Sequence, residues 1–230
     1  MMDEVRHARK VDAQPGGFFA RVRERLDLSV PAGLMDPNVP VTRGDLDLDP
    51  SLWTRAGVQA TRPAAVLIPV VDRPEPAVLL TQRTPDLPSH PGQIAFPGGK
   101  IDEEDDGPLS AALREAEEEI GLDRNLVEPL GYLDLYLTFS GFRILPLVAR
   151  VEPDYALTLN AREVADAFEV PLDFLMEPLN HQFLKRDWKG IERAYYAMPF
   201  GERYIWGVTA GILRNLWEKM YRDDGGDPGA

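Results

Sequence analysis

Arg114-Glu115-Ala116-Glu117-Glu118-Glu119-Ile120-Gly121-Leu122 is the stretch on which the reading of this chain turns. It closes a segment, Pro108 to Ile120, with proline in its first turn and glycine just past its end, the two marks that bracket a helix. At about 100° of rotation per residue, Glu115, Glu118 and Glu119 fall in one sector about 100° wide. Leu109, Ala112, Leu113, Ala116 and Ile120 fill the neighbouring sector. The helix is therefore expected to pack on a sheet and to hold a fixed acidic row beside the seam. Like charges three and four residues apart destabilise a helix by about a few tenths of a kcal/mol each, and bound cations relieve that repulsion. Hard oxygen ligands of this kind favour Mg²⁺ or Mn²⁺. A solvated acidic face is the ordinary alternative for a lone acidic run, so the surroundings must decide.

Outward from this helix, strands and helices interleave. Short Val/Ile/Leu runs at Ala64 to Val71 and Ala77 to Gln82 flank the turn-forming Asp72-Arg73-Pro74-Glu75-Pro76, which predicts two buried strands. A Pro/Gly-rich loop, Pro85 to Gly99, leads into the carboxylate helix. Beyond it, strands are expected at Leu130 to Leu137, Arg143 to Val151 and Ala194 to Phe200, a short helix near Arg162 to Phe168, and an amphipathic helix from Trp206 to Tyr221. Upstream, Phe18, Phe19, Val22 and Leu26 predict a helix over Gly17 to Leu28, followed by an extended wrap. The expected organisation is an N-terminal helix and wrap over 1–60, one α/β domain over 61–222, and a disordered Asp/Gly/Pro tail over 223–230.

Composition narrows the function. The chain has 230 residues, 44% of them hydrophobic, which suffices for a sizeable core. No run approaches the roughly 20 apolar residues of a membrane helix, and the N-terminus lacks the apolar core of a signal peptide, so a cytoplasmic protein is expected. With no cysteine, any metal must be held by oxygen or histidine. The net charge of -13 argues against a nucleic-acid partner but allows a small phosphorylated substrate bridged by metal.

From Gly98-Gly99 to Leu122 the sequence resembles the Nudix box, Gly-x5-Glu-x7-Arg-Glu-U-x-Glu-Glu-x-Gly-U with U apolar. The second half matches at every defined position. The first half departs: Asp106 takes the place of the early glutamate, and Gly99 to Asp106 is one residue longer than the pattern. The resemblance implies an α/β/α sandwich with a mixed sheet and metal-dependent cleavage of a pyrophosphate in a nucleoside-diphosphate derivative. It implies Glu115, Glu118 and Glu119 as metal ligands, with a backbone carbonyl of Gly98 or Gly99 as a possible addition. Arg114 would orient a carboxylate.

Further segments narrow the branch. Leu79-Leu80-Thr81-Gln82-Arg83 and Gly92-Gln93-Ile94-Ala95-Phe96-Pro97-Gly98-Gly99 resemble the LLTxR and G-Q-x-x-F-P-G-G elements of the coenzyme A diphosphatases. The segments Glu163 to Leu172 and Ile205 to Ala210 also resemble that branch. Arg83 and Lys100 are candidate contacts to substrate phosphates, Arg83 through a bidentate guanidinium. Glu163 is read as heading a short helix, either as general base or outer ligand or as a residue complementing the helix dipole. His90 reads as solvated rather than ligating. Trp206, Ile212, Leu213, Leu216 and Met220 read as core or homodimer packing. The expected activity is hydrolysis of coenzyme A or its thioesters to adenosine 3′,5′-bisphosphate and 4′-phosphopantetheine or its acyl form. Another Nudix substrate (ADP-ribose, a dinucleotide or a nucleoside triphosphate) is the alternative within the class, and a nucleotide-sensing binding module the alternative outside it.

Overall fold

The protein is described from a computed structural model over residues 17–41, 43–45, 48, 62–188 and 190–222. The tail 223–230 and most of the expected wrap beyond residue 41 lie outside the described residues. Helix α1 (Gly17–Arg25) and the two-residue strand β1 (Arg43–Gly44) precede a hairpin of β2 (Arg62–Val71) and β3 (Ala77–Arg83). Short strands β4 (Ile94–Ala95) and β5 (Gly98–Lys100) lead to helix α2 (Pro108–Ile120). Then come β6 (Val127–Tyr132), β7 (Tyr136–Leu137), β8 (Phe142–Val151) and β9 (Val164–Pro171). The one-turn helix α3 (Leu172–Leu175), strands β10 (Gln182–Trp188), β11 (Ile191–Phe200) and β12 (Arg203–Trp206), and helix α4 (Val208–Tyr221) follow.

The main sheet runs β1-β7-β8-β2-β3-β4, with β5 also on β2, β6 on β8 and β9 on β3. It is mixed: β2 and β8 are parallel from Arg62 opposite Phe142 to Val71 opposite Val151, whereas β2 and β3 are antiparallel. The central strands are apolar on both faces because both are covered. Ala65, Leu67, Leu79, Leu145 and Leu147 face Ala111, Ala112, Ala116 and Ile120 of α2. Ile68, Val70, Leu80 and Val148 face Phe18, Phe19 and Val22 of α1 and Ile212, Leu213 and Leu216 of α4. This is the expected α/β/α sandwich. A second, three-stranded antiparallel sheet, β10-β11-β12, feeds α4.

Four expectations are corrected. The segment expected as a helix near Arg162 to Phe168 is strand β9, antiparallel to β3 from Ala77 opposite Pro171 to Arg83 opposite Val164. Asp166, Phe168 and Val170 share one face of it, the register shift at Gln82/Arg83 turns Val164 to the other, and the unmet backbone groups of β3 select the strand. Glu163 therefore precedes a strand instead of heading a helix. The C-terminal helix begins at Val208, and Trp206 ends a strand, because Gly207 turns the chain at φ +64° between the two. The single strand expected over Leu130 to Leu137 is two, β6 and β7, and α1 stops at Arg25. No helix among the described residues is long and apolar enough to cross a membrane.

Arg143, 4% exposed, donates from its guanidinium to the backbone carbonyls of Gly33, Asp36, Pro37 and Val39, and so fastens the N-terminal wrap to the start of β8.

Candidate active site

Helix α2 is turned further toward the sheet than its apolar residues alone predict. Its buried positions are Pro108, Ala111, Ala112, Ala116, Glu119 and Ile120, so Glu119 sits inside the seam among alanines instead of beside it. Small side chains at 111, 112 and 116 let the helix approach, and the longer Leu109 and Leu113 are only partly covered. Glu119 is 5% exposed, and its Oε2 accepts a hydrogen bond from the Gly98 amide at 3.2 Å. Burial pushes its carboxyl up to about 7, against the lowering effects of the Gly98 amide and the Arg83 charge. Burial also raises Glu115, with Arg114 pulling the other way and the charges of Glu118 and Glu163 adding to the rise.

Strand β5 brings the glycines to these carboxylates. Gly98 and Gly99 lie opposite Val66 and Ala65 of β2. A Cβ on Gly99 would stand 2.4 Å from Glu115 Oε1, so a larger residue there would displace this carboxylate. Gly98 is at φ +149°, and a Cβ there would meet Ala65 O at 2.5 Å.

Arg114 organises the other side. Its guanidinium bonds Asp105 in bidentate fashion, Nε to Oδ1 at 3.0 Å and Nη2 to Oδ2 at 2.9 Å. Nη1 reaches Glu115 and Glu118 at 3.1 Å each, and Nη2 donates to the Lys100 carbonyl at 3.2 Å. The partner of Arg114 is thus Asp105, not the Asp106 obtained by counting back from the end of the box. Counting five residues forward from Gly99 reaches Asp105, and that spacing was the signal in the sequence that could have found it. Among the described residues, no three Asp, Glu or His side chains are gathered as a ligand cluster, and Arg114 holds one oxygen each of Glu115 and Glu118. A hard divalent cation fits this donor set of carboxylates and a close glycine backbone, provided it takes over the carboxylate oxygens that Arg114 now holds.

The remaining candidates divide. Glu163 lies near: its backbone carbonyl accepts from Thr84 N at 2.9 Å, its Oε1 accepts from Asn160 Nδ2 at 3.1 Å, and its charge is felt by both Glu115 and Glu119. Arg83, at the irregular end of the β3–β9 pairing, acts on Glu119 by its charge, and its buried Nε has no hydrogen-bond partner. Glu118 is peripheral, its side chain 59% exposed. Lys100 is exposed at the end of β5, contributing only its carbonyl to Arg114. His90 is also exposed, in the loop before β4.

Missed in the sequence was Arg203 of β12. It binds Gln82 and Asp166 and stacks 4.2 Å above the Phe168 ring, joining the small sheet to β3 and β9 next to Arg83.

The model of the NUDIX domain matches residues 61–192. The Nudix hydrolase NudL of Yersinia pestis (strain Pestoides F), itself described as uncharacterized, is 41% identical over 159 residues, 69% of this chain and 80% of that protein. NudL of Yersinia pseudotuberculosis serotype O:1b (strain IP 31758) matches to the same extent. Among solved structures, a C. elegans Ap4A hydrolase in a binary complex is 20% identical over 48% of this chain and 80% of its own, at a TM-score of 0.42. The M. smegmatis Nudix hydrolase RenU is 24% identical over 48% and 70%, at a TM-score of 0.41. The carboxylate helix docked on a mixed sheet, the family match over more than half of the chain and the identity to NudL together make this chain a member of the Nudix hydrolase family.

Proposed function

We propose that the protein hydrolyses the pyrophosphate of coenzyme A or its thioesters, releasing adenosine 3′,5′-bisphosphate and 4′-phosphopantetheine or its acyl form. What supports the substrate is the pairing of the LLTxR segment, which ends at Arg83, with the G-Q-x-x-F-P-G-G run, which ends at Gly99; the two converge on Glu119. Nudix hydrolases generally use divalent metals, and Mg²⁺ or Mn²⁺ would supply neutralisation of the pyrophosphate and a lowered pKa for the attacking water. Glu115 and Glu119 would hold the metal, with Glu118 and the Gly99 carbonyl adding to it. Arg114, anchored on Asp105, would keep the carboxylates in register. Glu163, across the site on the loop before β9, would orient or deprotonate water.

Arg83 would take a pyrophosphate oxygen. Its buried Nε offers a donor that no protein group uses, beside the carboxylate that would hold the metal. A charge-assisted bond of this kind is worth about 1.5 to 3 kcal/mol, or roughly ten- to a hundredfold in affinity. Arg83→Ala should therefore lower kcat/KM for coenzyme A by about that factor. The loss should be the same for dephospho-coenzyme A, since both carry the pyrophosphate. A larger loss for coenzyme A would move the contact to its 3′-phosphate.

The substrate itself is tested by chromatography with mass detection on a panel of coenzyme A, acetyl-coenzyme A, ADP-ribose, dinucleotides and nucleoside triphosphates. The expected products are adenosine 3′,5′-bisphosphate and 4′-phosphopantetheine. Brisk cleavage of ADP-ribose beside intact coenzyme A would overturn the assignment and leave the family membership standing.

A further inference from the structure

The small sheet has two unlike faces. Residues directly opposite in antiparallel pairs point to the same side, so the register places Tyr196, Met198, Arg203 and Ile205 on one face. Met198 and Ile205 are fully buried, and Arg203 reaches Phe168 on β9. The other face carries Arg186, Arg193, Tyr195, Tyr204 and Trp206. On this face Arg193 stacks 4.1 Å above the ring of Phe139 in the turn between β7 and β8. The two stacked arginines therefore fix the small sheet crosswise, one face toward β3 and β9 and the other toward the β7–β8 turn. That turn meets the beginning of β2, where Arg62 Nη2 donates to the Ser140 carbonyl at 3.1 Å, at the same end of the main sheet as Gly98, Gly99 and Arg83.

Two properties of this second face call for a ligand. Its rings form a half-open cluster: Tyr195 and Trp206 meet edge to face at 5.6 Å, Tyr204 and Trp206 lie 6.5 Å apart, and Tyr204 is 44% exposed. Rings of this kind outside a core offer flat apolar area to a heterocycle. The charges are unbalanced as well. Arg186 and Arg193 are directly opposite one another across β10 and β11, and like charges so placed destabilise a sheet. Among the described residues no carboxylate pairs with either, and the buried Nε of Arg193 has no hydrogen-bond partner, in a chain of net charge -13. An anion between the two guanidiniums would relieve the repulsion and accept the unused donor.

We propose that this face is the subsite for the nucleotide end of the substrate: the rings of Tyr195, Tyr204 and Trp206 stack a purine base, and Arg186 and Arg193 take the phosphate on its ribose 3′ position. The assignment rests on the coenzyme A reading. It gives that reading the second cationic site that Arg83, committed to the pyrophosphate, does not provide.

Adenosine 3′,5′-bisphosphate and AMP are titrated calorimetrically into the full chain in Mg²⁺, which measures binding without turnover. The Arg186→Gln/Arg193→Gln variant should bind the bisphosphate about tenfold more weakly and AMP nearly as well as wild type. Tyr204→Ala, at a position 44% exposed, should weaken both by about fivefold or more. Arg186→Lys/Arg193→Lys should recover part of the discrimination, which a merely structural role would not. Unchanged affinities, equal losses of both nucleotides in the glutamine variant, or no nucleotide binding by wild type would each overturn the subsite. So would a variant-dependent change in sedimentation of the unliganded protein, which would make the face an interface between copies. If coenzyme A stays intact while these losses appear, only the hydrolase assignment fails. If the variants cut coenzyme A with wild-type kcat/KM, only the subsite fails.

Discussion

Glu119→Gln is expected to remove turnover, by at least about a hundredfold, the upper end of what losing even an outer-shell partner costs a metal site. The side chain lies in the seam between α2 and the sheet, where glutamine keeps the shape and can still accept from the Gly98 amide. Only the charge is withdrawn. Because burial holds this carboxyl near 7 and Glu115 adds to the repulsion, the metal-free variant should melt at a temperature equal to or above that of the metal-free wild type. Glu115→Gln should behave alike in turnover. Steady-state kinetics with saturating Mg²⁺ and calorimetric melting in chelator check both halves. Near wild-type kcat in either variant would show that the residue does not hold the catalytic metal, and a lower melting temperature would show that the carboxylate stabilises the helix in its own right.

Chelation has an effect of the same size. Exhaustive EDTA treatment should abolish hydrolysis, and adding back Mg²⁺ or Mn²⁺ should restore it, because the carboxylates cannot themselves neutralise an anionic pyrophosphate. The melting temperature should rise with the restoring metal, since a cation that binds only the folded carboxylates stabilises by mass action. Full activity after chelation would remove the metal from the reaction.

The carboxylate helix was legible from its own residues, since Pro108, Gly121 and the spacing of 115, 118 and 119 are local signals. Its rotation was not, because the depth of Glu119 follows from the small volumes of Ala111, Ala112 and Ala116, which periodicity weighs as weakly apolar. Glu163 is read from the sequence as lying near the carboxylates, for a wrong local reason. Its helix is a strand, yet the pairing of β9 with β3 brings it within electrostatic reach of Glu115 and Glu119. Asp105 was displaced by one position when the box was counted from its far end. The small sheet is almost unreadable in the sequence: β10, Gln182-Phe183-Leu184-Lys185-Arg186-Asp187-Trp188, carries three charges in a row, and none of the described side chains 182–187 is buried to mark an alternation. Arg203 could not be found at all. Its partners are 37 and 121 residues away, and only the folded chain brings them together.

The grip of Arg143 on four carbonyls of the wrap separates the span by which the family is recognised from the span that folds. The family match spans 61–192. A guanidinium sealed inside the molecule needs its acceptors, and Gly33, Asp36, Pro37 and Val39 are all upstream of that span. Phe18, Phe19 and Val22 on one side of it, and Leu213, Leu216 and Met220 on the other, close the same core. The shared core thus reaches at least from 18 to 220, and the flanks are as much a part of the enzyme's interior as the strands between them.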